Sequence, residues 1–252
     1  MTTQRKALVT GASEGIGRAF AGRLAVEGYA VTATARNENR LEELMTELDS
    51  ESHVYQVADL ATAEGTTKIA EILAAGRFNL LINNAGFGVY GNFHKAELPV
   101  IQPMMRLNCD ALVALSHAFL KQSRKGDALI NVSSALAFMP MPSFAVYAAT
   151  KAFVTSFTES LWYEQKPRGV YVMGLCPGAT ASNFHEQAGG NETNWPPAAI
   201  TQTPEEVVET AMRALAKRGK PTVVSGIKNR MVTNLTRLMP RKGIVKMMAG
   251  FG

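Results

Sequence analysis

Cysteine is scarce in this chain, and its two residues, Cys109 and Cys176, are too few for a disulfide framework. This scarcity favours a reducing compartment, and we expect a cytoplasmic protein. The four histidines show no metal-ligand spacing, so no metal site is predicted. No uninterrupted apolar run approaches the roughly 20 residues of a membrane-spanning helix. Residues 1–6 lead directly into the first predicted strand, so we expect no signal peptide.

Apolar runs typical of buried strands alternate with helical stretches along the chain, and 46% of the 252 residues are hydrophobic. This alternation predicts an α/β fold: one Rossmann-like, doubly wound parallel sheet of about seven strands with helices on both faces. We expect a single dinucleotide-binding and catalytic domain over residues 1–252. The predicted strands are 6–9, 29–35, 53–57, 78–82, 128–132, 170–175 and 221–224. The predicted helices are 18–27, 38–48, 66–75, 100–121, 146–165 and 204–217.

A glycine-rich turn follows the first predicted strand, with Gly11, Gly15 and Gly17 between that strand and the next helix. Free backbone N–H groups and the helix dipole make such a junction an anion site. Glycines let a pyrophosphate approach the backbone closely. The spacing Gly-x-x-x-Gly-x-Gly differs from the more common Gly-x-Gly-x-x-Gly fingerprint.

Tyr147 and Lys151 stand four residues apart in a predicted helix, which puts both side chains on one helix face. An ammonium beside a phenol favours the phenolate, so we expect Lys151 to lower the pKa of Tyr147. That change would suit tyrosine for general acid–base chemistry near neutral pH. Ser134 lies thirteen positions upstream of the tyrosine, at the end of a predicted strand.

Taken together, these motifs resemble those of the short-chain dehydrogenase/reductase family from residue 7 to about residue 224. Thr10-Gly11-x-x-x-Gly15-x-Gly17 is similar to the family's cofactor loop, and Asn83-Asn84-Ala85-Gly86 to its motif after the fourth strand. Cys176-Pro177-Gly178 resembles the motif beside the nicotinamide. The order and spacing of four further residues match the family's catalytic tetrad: Asn108, Ser134, Tyr147 and Lys151.

The resemblance implies a role for each residue of this tetrad. Tyr147 would donate the proton to the substrate oxygen, and Ser134 would hydrogen-bond the same atom. Lys151 would also hold the nicotinamide ribose. Asn108 would kink its helix and hold a water that connects Lys151 to solvent. Ser133 is the less favoured serine, because thirteen residues is the usual family separation from the tyrosine.

The cofactor implied by the resemblance is NADP(H). A carboxylate at the end of the second strand would repel a 2′-phosphate, whereas this chain has Ala35 followed by Arg36. Glu14 departs from the pattern, since many NADP-preferring relatives carry Lys, Arg or Ser there. The implied cofactor-binding residues are Gly11, Ser13, Glu14, Gly15, Ile16, Gly17, Arg36, Asp59, Leu60, Asn84, Ala85, Gly86, Asn108, Tyr147, Lys151, Pro177, Gly178, Thr180 and Ser182.

The substrate is expected to be a lipophilic carbonyl or alcohol, because apolar residues dominate the segments expected around the cleft. They are Phe87, Phe138, Met139, Pro140, Met141, Pro142, Phe144, Phe184 and Trp195. Residues 183–200 have a loop-like composition and are predicted to form a lid. A redox sensor or scaffold that binds the dinucleotide without turnover is the alternative, although such proteins usually lose the tyrosine or the lysine. An epimerase or dehydratase of the extended branch is less favoured, because it usually needs a substrate domain.

The last predicted segment is a basic, apolar tail over residues 229–250, with helical spacing that Pro240 interrupts. The tail could be a membrane-surface helix, a subunit contact or a cover on the substrate cleft. We expect it to pack against the protein, so membrane association is not favoured. A homodimer or homotetramer through the long helices is expected from the resemblance. The formal net charge of +5 does not imply nucleic acid, because the basic residues are scattered along the chain.

Overall fold

The computed structural model describes residues 4–48, 50–190, 200–236 and 238–250. Its strands are β1 (Lys6–Thr10), β2 (Ala30–Ala35), β3 (Val54–Val57), β4 (Leu80–Asn83), β5 (Ala128–Val132), β6 (Tyr171–Cys176) and β7 (Thr222–Val224). They form one parallel sheet in the order β3-β2-β1-β4-β5-β6-β7. The prediction of a seven-strand, Rossmann-like α/β fold is therefore confirmed.

Most of the predicted helices agree with the observed ones to within a few residues. The helices of the described chain are α1 (Gly15–Val26), α2 (Glu38–Leu48), α3 (Ala63–Ala75), α4 (Leu98–Met105), α5 (Leu112–Gln122), α6 (Ala145–Gln165), α7 (Phe184–Gln187), α8 (Pro204–Lys217), α9 (Ile227–Thr236) and α10 (Arg241–Met248). Helix α3 begins three residues before its predicted start, because the Thr62 side chain caps it by accepting a 3.0 Å hydrogen bond from Gly65 N. Among the residues that the structure describes, none of the helices combines the length and apolarity needed to cross a bilayer.

Both faces of the sheet are buried, which explains why its strands are apolar without a polar alternation. Leu80 and Ile82 of β4 point into a core formed with α1, α2 and α8, whereas Leu81 between them points into the core formed with α3 and α5. A third cluster of buried side chains lies beyond the sheet edge. It joins Met104 of α4, Tyr147 of α6 and Ile244 of α10.

The predicted helical region 100–121 is observed, but it is not a regular α-helix throughout. A π-helical segment, Arg106–Ala111, separates α4 from α5. Asn108 lies within it, as the resemblance implied when it placed a helix distortion at this residue. Such widened turns occur mostly at functional sites, because they redirect a side chain that a regular helix would point elsewhere.

The strand order reverses between β1 and β4, which lie side by side although two strands separate them in sequence. Ligands of open α/β sheets bind outside the carboxyl ends of the strands at such a switch point. The glycine-rich turn follows β1, and residues 84–86 follow β4. The topology thus brings these two distant motifs to the same edge.

Candidate active site

Tyr147 and Lys151 lie one turn apart near the start of α6, and both are almost completely buried. The Lys151 ammonium lies 5.7 Å from the centroid of the Tyr147 ring. It donates a 2.9 Å hydrogen bond to the carbonyl oxygen of Val132, at the end of β5. The lysine is therefore fixed between the helix that carries it and the strand that leads to Ser134.

Two neighbouring serines follow β5, and the structure separates their environments. The Ser133 hydroxyl donates a 2.8 Å hydrogen bond to the carbonyl oxygen of Lys151 and lies 2.7 Å from the Thr155 hydroxyl. Ser134 instead lies beside the Tyr147 hydroxyl, where it lowers the pKa of the phenol, and accepts a 3.1 Å hydrogen bond from Leu136 N. Ser133 thus ties the strand to α6, while Ser134 adjoins the phenol.

Burial governs the protonation of both side chains. Desolvation raises the pKa of Tyr147 well above its ordinary value, and the hydrogen bond with Ser134 opposes this only in part. The net pKa of Tyr147 is therefore raised by burial, whereas a lowered value had been expected from the neighbouring Lys151. Desolvation also lowers the pKa of Lys151 to about 8, because a buried ammonium is disfavoured. The phenol is consequently protonated at neutral pH, and the lysine is still mostly an ammonium there although its pKa is lowered.

Asn108 holds the loop after β4 against α6. Its side-chain amide donates to the carbonyl oxygen of Phe87 at 3.0 Å and to the Thr150 hydroxyl at 3.1 Å, while its Oδ1 accepts from Phe87 N at 3.2 Å. Thr150 in turn donates a 2.7 Å hydrogen bond to the carbonyl oxygen of Tyr147. Sequence reasoning missed Thr150. Its position just before Lys151, on the buried side of the helix, could have indicated that it belongs to the site.

The glycine-rich turn is held by polar side chains from two strands. The Thr10 hydroxyl accepts hydrogen bonds from Asn84 N and Ala85 N, each at 2.9 Å. The Asn84 amide donates to the carbonyl oxygens of Thr10 and Gly11, at 2.9 and 3.2 Å. Gly11 has a φ of +66°, which favours glycine, and a Cβ there would lie 2.9 Å from the Asn84 amide and the Ala85 backbone. Sequence reasoning had not assigned this role to Thr10.

Glu14 is part of an ion-pair network rather than an isolated charge. It is the N-cap residue of α1, and its carboxylate accepts a 2.6 Å hydrogen bond from Arg40 of α2. It also accepts hydrogen bonds from Asn183, at 3.2 Å, and from Gln187 of α7, at 2.8 Å. Glu14 thus connects the turn to the start of the predicted lid 183–200, of which residues 191–199, including Trp195, lie outside the described residues.

Arg36 lies directly after β2 with an exposed side chain. Within the described part of the chain, its guanidinium makes no hydrogen bond or ion pair. Arg40, in the first turn of α2, is by contrast neutralised by Glu14. Arg36 is therefore a cation at this strand end that is available to an anionic ligand.

The remaining predicted cofactor residues lie at the same edge. The Asp59 carboxylate, just after β3, accepts a 2.9 Å hydrogen bond from Ala61 N, and Leu60 beside it is buried. The carbonyl oxygen of Pro177 accepts a 2.7 Å hydrogen bond from Ala135 N, which joins the segment after β6 to the one after β5. Thr180 and Ser182 follow, and a Cβ at Gly15 would lie 3.4 Å from that of Ser182.

Asn229 of α9 is a contact that sequence reasoning missed. A side chain at Gly178 would overlap the Asn229 amide, which donates a 2.9 Å hydrogen bond to the carbonyl oxygen of Ser225. The tail therefore covers the Pro177-Gly178 segment. Only the tertiary contact reveals this, because Asn229 belongs to no motif in the sequence.

Aromatic rings surround the phenol. Phe144 stacks on Tyr147 with ring centroids 4.4 Å apart, and Tyr90 stacks on the other side of Phe144 at 3.9 Å. Phe184 of α7 lies 5.4 Å from Tyr147. Met139 and Met141 are buried in the same cluster. Phe144, Phe184 and both methionines were predicted to border the cleft, whereas Tyr90 was not.

The residues present fit a dinucleotide. Helix α1 begins at Gly15 without a side-chain cap, so its first N–H groups can meet a phosphate. Gly86 lies close to two side chains of the site. A Cβ at this position would lie 3.0 Å from the Asn108 Oδ1 and 3.3 Å from the Lys151 ammonium. The missing side chain lets Asn108 and Lys151 approach the backbone closely at this edge of the sheet.

The sequence model of the family described as short chain dehydrogenase matches residues 5–193. The chain belongs to the short-chain dehydrogenase family. The family consists of oxidoreductases, and the fold and motif order described above agree with that membership.

Among curated relatives, 17-beta-hydroxysteroid dehydrogenase type 3 of Homo sapiens is 30% identical over 85% of this chain and 69% of its own length. The very-long-chain 3-oxoacyl-CoA reductase of Homo sapiens is 25% identical over 96% of this chain and 78% of its own. Among solved structures, a short-chain dehydrogenase from Sphingobium yanoikuyae in complex with NADPH is 29% identical with a TM-score of 0.80, covering 95% and 94% of the two chains. A bulky-bulky ketone specific alcohol dehydrogenase from Comamonas testosteroni is 27% identical with a TM-score of 0.76, covering 94% and 93%.

Proposed function

We propose that this short-chain dehydrogenase uses NADP(H) to interconvert a carbonyl and an alcohol on a lipophilic small molecule. The observation that carries the proposal is the convergence of Ser134, Tyr147 and Lys151 beside the glycine-rich turn. The phenol touches Ser134, and the lysine lies one helix turn away. Such a set can deliver a proton to a developing alkoxide.

In the reductive direction, the bound nicotinamide would supply a hydride to the carbonyl carbon. Tyr147 would transfer its hydroxyl proton to the carbonyl oxygen, and Ser134 would donate a hydrogen bond to that oxygen. The raised pKa of Tyr147 keeps the phenol protonated and ready to act as the acid. Lys151, as an ammonium, would stabilise the phenolate that remains and hold the ribose hydroxyls. Asn108 would fix the loop at Phe87 through its three hydrogen bonds.

The preference for NADP(H) rests on Arg36. Its exposed guanidinium stands at the end of β2, where the adenosine ribose is expected, and can form a charge-assisted fork with a 2′-phosphate. Glu14 is paired with Arg40, so its charge is offset rather than directed at the phosphate. The NADPH complex of the related Sphingobium enzyme supports the same choice.

The lipophilic substrate is supported by the apolar side chains packed around the phenol. Tyr90, Phe144 and Phe184 surround the phenol, and methionines pack behind them. Relatives named for hydroxysteroids, very-long-chain 3-oxoacyl-CoA and bulky ketones suggest the size of the substrate. A bulky ketone without a charged group near the carbonyl is the substrate class that this lining fits.

The deciding experiment measures NADPH oxidation by the purified protein against a panel of carbonyl compounds. The panel should contain steroid ketones, long-chain 3-oxoacyl thioesters, bulky aryl ketones and short polar aldehydes. We expect turnover with bulky apolar members and little with the short polar ones. A protein that binds NADPH but reduces no member would favour the redox-sensor alternative, and a preference for polar aldehydes would contradict the lipophilic assignment.

We further propose a single catalytic domain in a cytoplasmic homodimer or homotetramer, with residues 183–200 as the substrate lid. The free thiols Cys109 and Cys176 are consistent with a reducing compartment. Phe153 and Phe157 of α6 stack with ring centroids 5.9 Å apart, and Phe153 is exposed. An aromatic pair with one exposed ring on a long helix is suited to a two-fold contact.

A further inference from the structure

Helix α9 has the reverse of the usual amphipathic arrangement. The side chains that it buries are polar: Thr233 and Thr236 are inaccessible, and Asn229 points to the Gly178 segment. The two hydroxyls are satisfied within the helix, since Thr233 donates to the carbonyl oxygen of Arg230 at 3.1 Å and Thr236 to that of Thr233 at 3.0 Å. This inner face gains little from burial of apolar area.

The outer face of α9 is apolar. We define it as Ile227, Met231, Leu235 and Leu238, the last just beyond the helix; their exposed fractions are 70%, 67%, 58% and 85%. The spacing of four, four and three residues aligns them in one stripe. Single exposed leucines are ordinary on protein surfaces, but a contiguous apolar stripe marks an interaction site.

The tail also carries exposed basic side chains. We call Lys228, Arg230, Arg241, Lys242 and Lys246 the basic rim; all five are exposed. Helix α10 carries the last three and buries Ile244 and Met248 against the cluster that contains Tyr147. The same tail thus packs on the candidate active site with one side and presents an apolar and basic surface with the other.

The charge of the chain is concentrated in this region. Residues 210–252 contain ten Lys and Arg and no Asp or Glu. The chain has 26 basic and 21 acidic residues in total, so residues 1–209 hold 16 basic and 21 acidic ones. The formal net charge of +5 is therefore the sum of an acidic segment, residues 1–209, and a strongly basic segment, residues 210–252. The sequence-based description of the basic residues as scattered is incomplete in this respect.

We propose that the outer face of α9 and the basic rim dock on an anionic phospholipid surface. The apolar stripe would enter the headgroup region while the rim meets lipid phosphates, as in interfacial amphipathic helices. A second copy of the chain fits less well, because a two-fold contact would oppose two basic rims. Nucleic acid would match the charge but not the aliphatic stripe. This reverses the preference that sequence alone gave for the tail.

Sedimentation with lipid vesicles tests the proposal on the full chain. Vesicles of phosphatidylcholine are compared with vesicles of phosphatidylcholine and phosphatidylserine, at low and at high salt. We expect binding to the anionic vesicles, little binding to the neutral ones, and release by salt because the rim's contribution is screened. Equal binding to both vesicles, or no binding to either, would overturn the proposal.

Two pairs of substitutions identify the surface. Met231→Ser with Leu235→Ser should weaken vesicle binding by about tenfold or more, because apolar area is lost. Arg241→Gln with Lys242→Gln should weaken it by roughly 30-fold, at about fivefold for each basic residue. The matched controls are Val26→Ser with Val54→Ser, and Arg124→Gln with Lys125→Gln, which change exposed residues elsewhere. Controls and wild type should bind alike.

Two further measurements distinguish lipid docking from unfolding and from self-association. Thermal unfolding shows whether a variant is folded, and the charge pair provides an independent test if the serine pair is not. Light scattering shows whether the outer face is a subunit contact instead. A serine pair that turns a wild-type oligomer into a monomer, with no vesicle binding by either protein, would refute the lipid assignment. None of these measurements depends on turnover, so the proposed reaction and the docking surface can fail separately.

Discussion

The ammonium group of Lys151 donates a 2.9 Å hydrogen bond to the backbone carbonyl oxygen of Val132. This bond fixes the lysine at the carboxyl end of β5, two residues before Ser134. It does not compensate fully for burial, which lowers the pKa of Lys151 from its ordinary 10.5 to about 8. The lysine is therefore held in place at an energetic cost while it is charged.

The stability of the protein should reflect this cost. Between pH 8 and 10.5 the unfolded chain binds a proton at Lys151 that the folded chain has released, so the contribution of this residue to stability rises with pH. Relative to Lys151→Met, the wild type should gain of order 2–3 kcal/mol across that window. Denaturant unfolding of both proteins, without cofactor, at several pH values measures the difference. A difference that does not change with pH would contradict the lowered pKa.

Tyr147→Phe should abolish turnover, because the ring is kept and the transferable proton is lost. Activity should fall by about a hundredfold or more, while the dissociation constant for NADPH stays within about twofold. Tyr163→Phe is the matched control, since that tyrosine is on the same helix and largely exposed. Initial rates and fluorescence titration measure the two effects. Residual activity above a few per cent would remove Tyr147 from its proposed role.

Arg36→Ala should weaken NADPH binding by about one to two decades, because a charge-assisted contact to the 2′-phosphate is lost. NADH binding should hardly change. Arg124→Ala serves as the control, because that exposed arginine follows α5 and is not one of the predicted cofactor residues. Titration calorimetry of the three proteins with both cofactors gives the six dissociation constants. Wild-type protein that binds NADH as tightly as NADPH would refute the assignment at the outset.

Thr150→Val should lower kcat by about tenfold while leaving KM nearly unchanged. Without the Thr150 hydroxyl, the Asn108 amide loses one of its two hydrogen-bond acceptors and keeps only the carbonyl oxygen of Phe87. The hydrogen bond from Thr150 to the carbonyl oxygen of Tyr147 is also lost. Thr150→Ser keeps the hydroxyl and should restore kcat. If both variants lose stability and activity equally, the methyl group matters through packing and the positioning role is wrong. The loss of one buried partner should also cost about 1–3 kcal/mol of stability.

Phe153→Glu should convert the proposed oligomer to a monomer of about half its mass or less. The substitution places a charge on an exposed aromatic surface of α6, where a two-fold contact would desolvate it. Light scattering at micromolar protein checks the mass, and Tyr163→Glu on the same helix is the control. A wild-type protein that is already monomeric would contradict the proposed assembly.

Much of the fold and of the site could be predicted from local sequence patterns. The strands could be predicted from their apolar runs, because both faces of a parallel sheet are buried. The cofactor loop could be predicted from its glycine spacing, because Gly11 has a positive φ that favours glycine. The order of Asn108, Ser134, Tyr147 and Lys151 indicated which side chains would meet. Each of these signals depends on neighbouring residues or on a fixed spacing.

Sequence by itself thus determined the parallel sheet and the identity of the polar groups at its edge. Only the tertiary structure decided how those groups behave. The pKa of Tyr147 is raised because Phe144 and its neighbours exclude water, which no spacing reveals. The negative charge of Glu14 is offset by an ion pair with Arg40 of α2. The outer face of α9 is apolar because its threonines, not its leucines, face the protein, and that choice depends on what the rest of the chain packs against it.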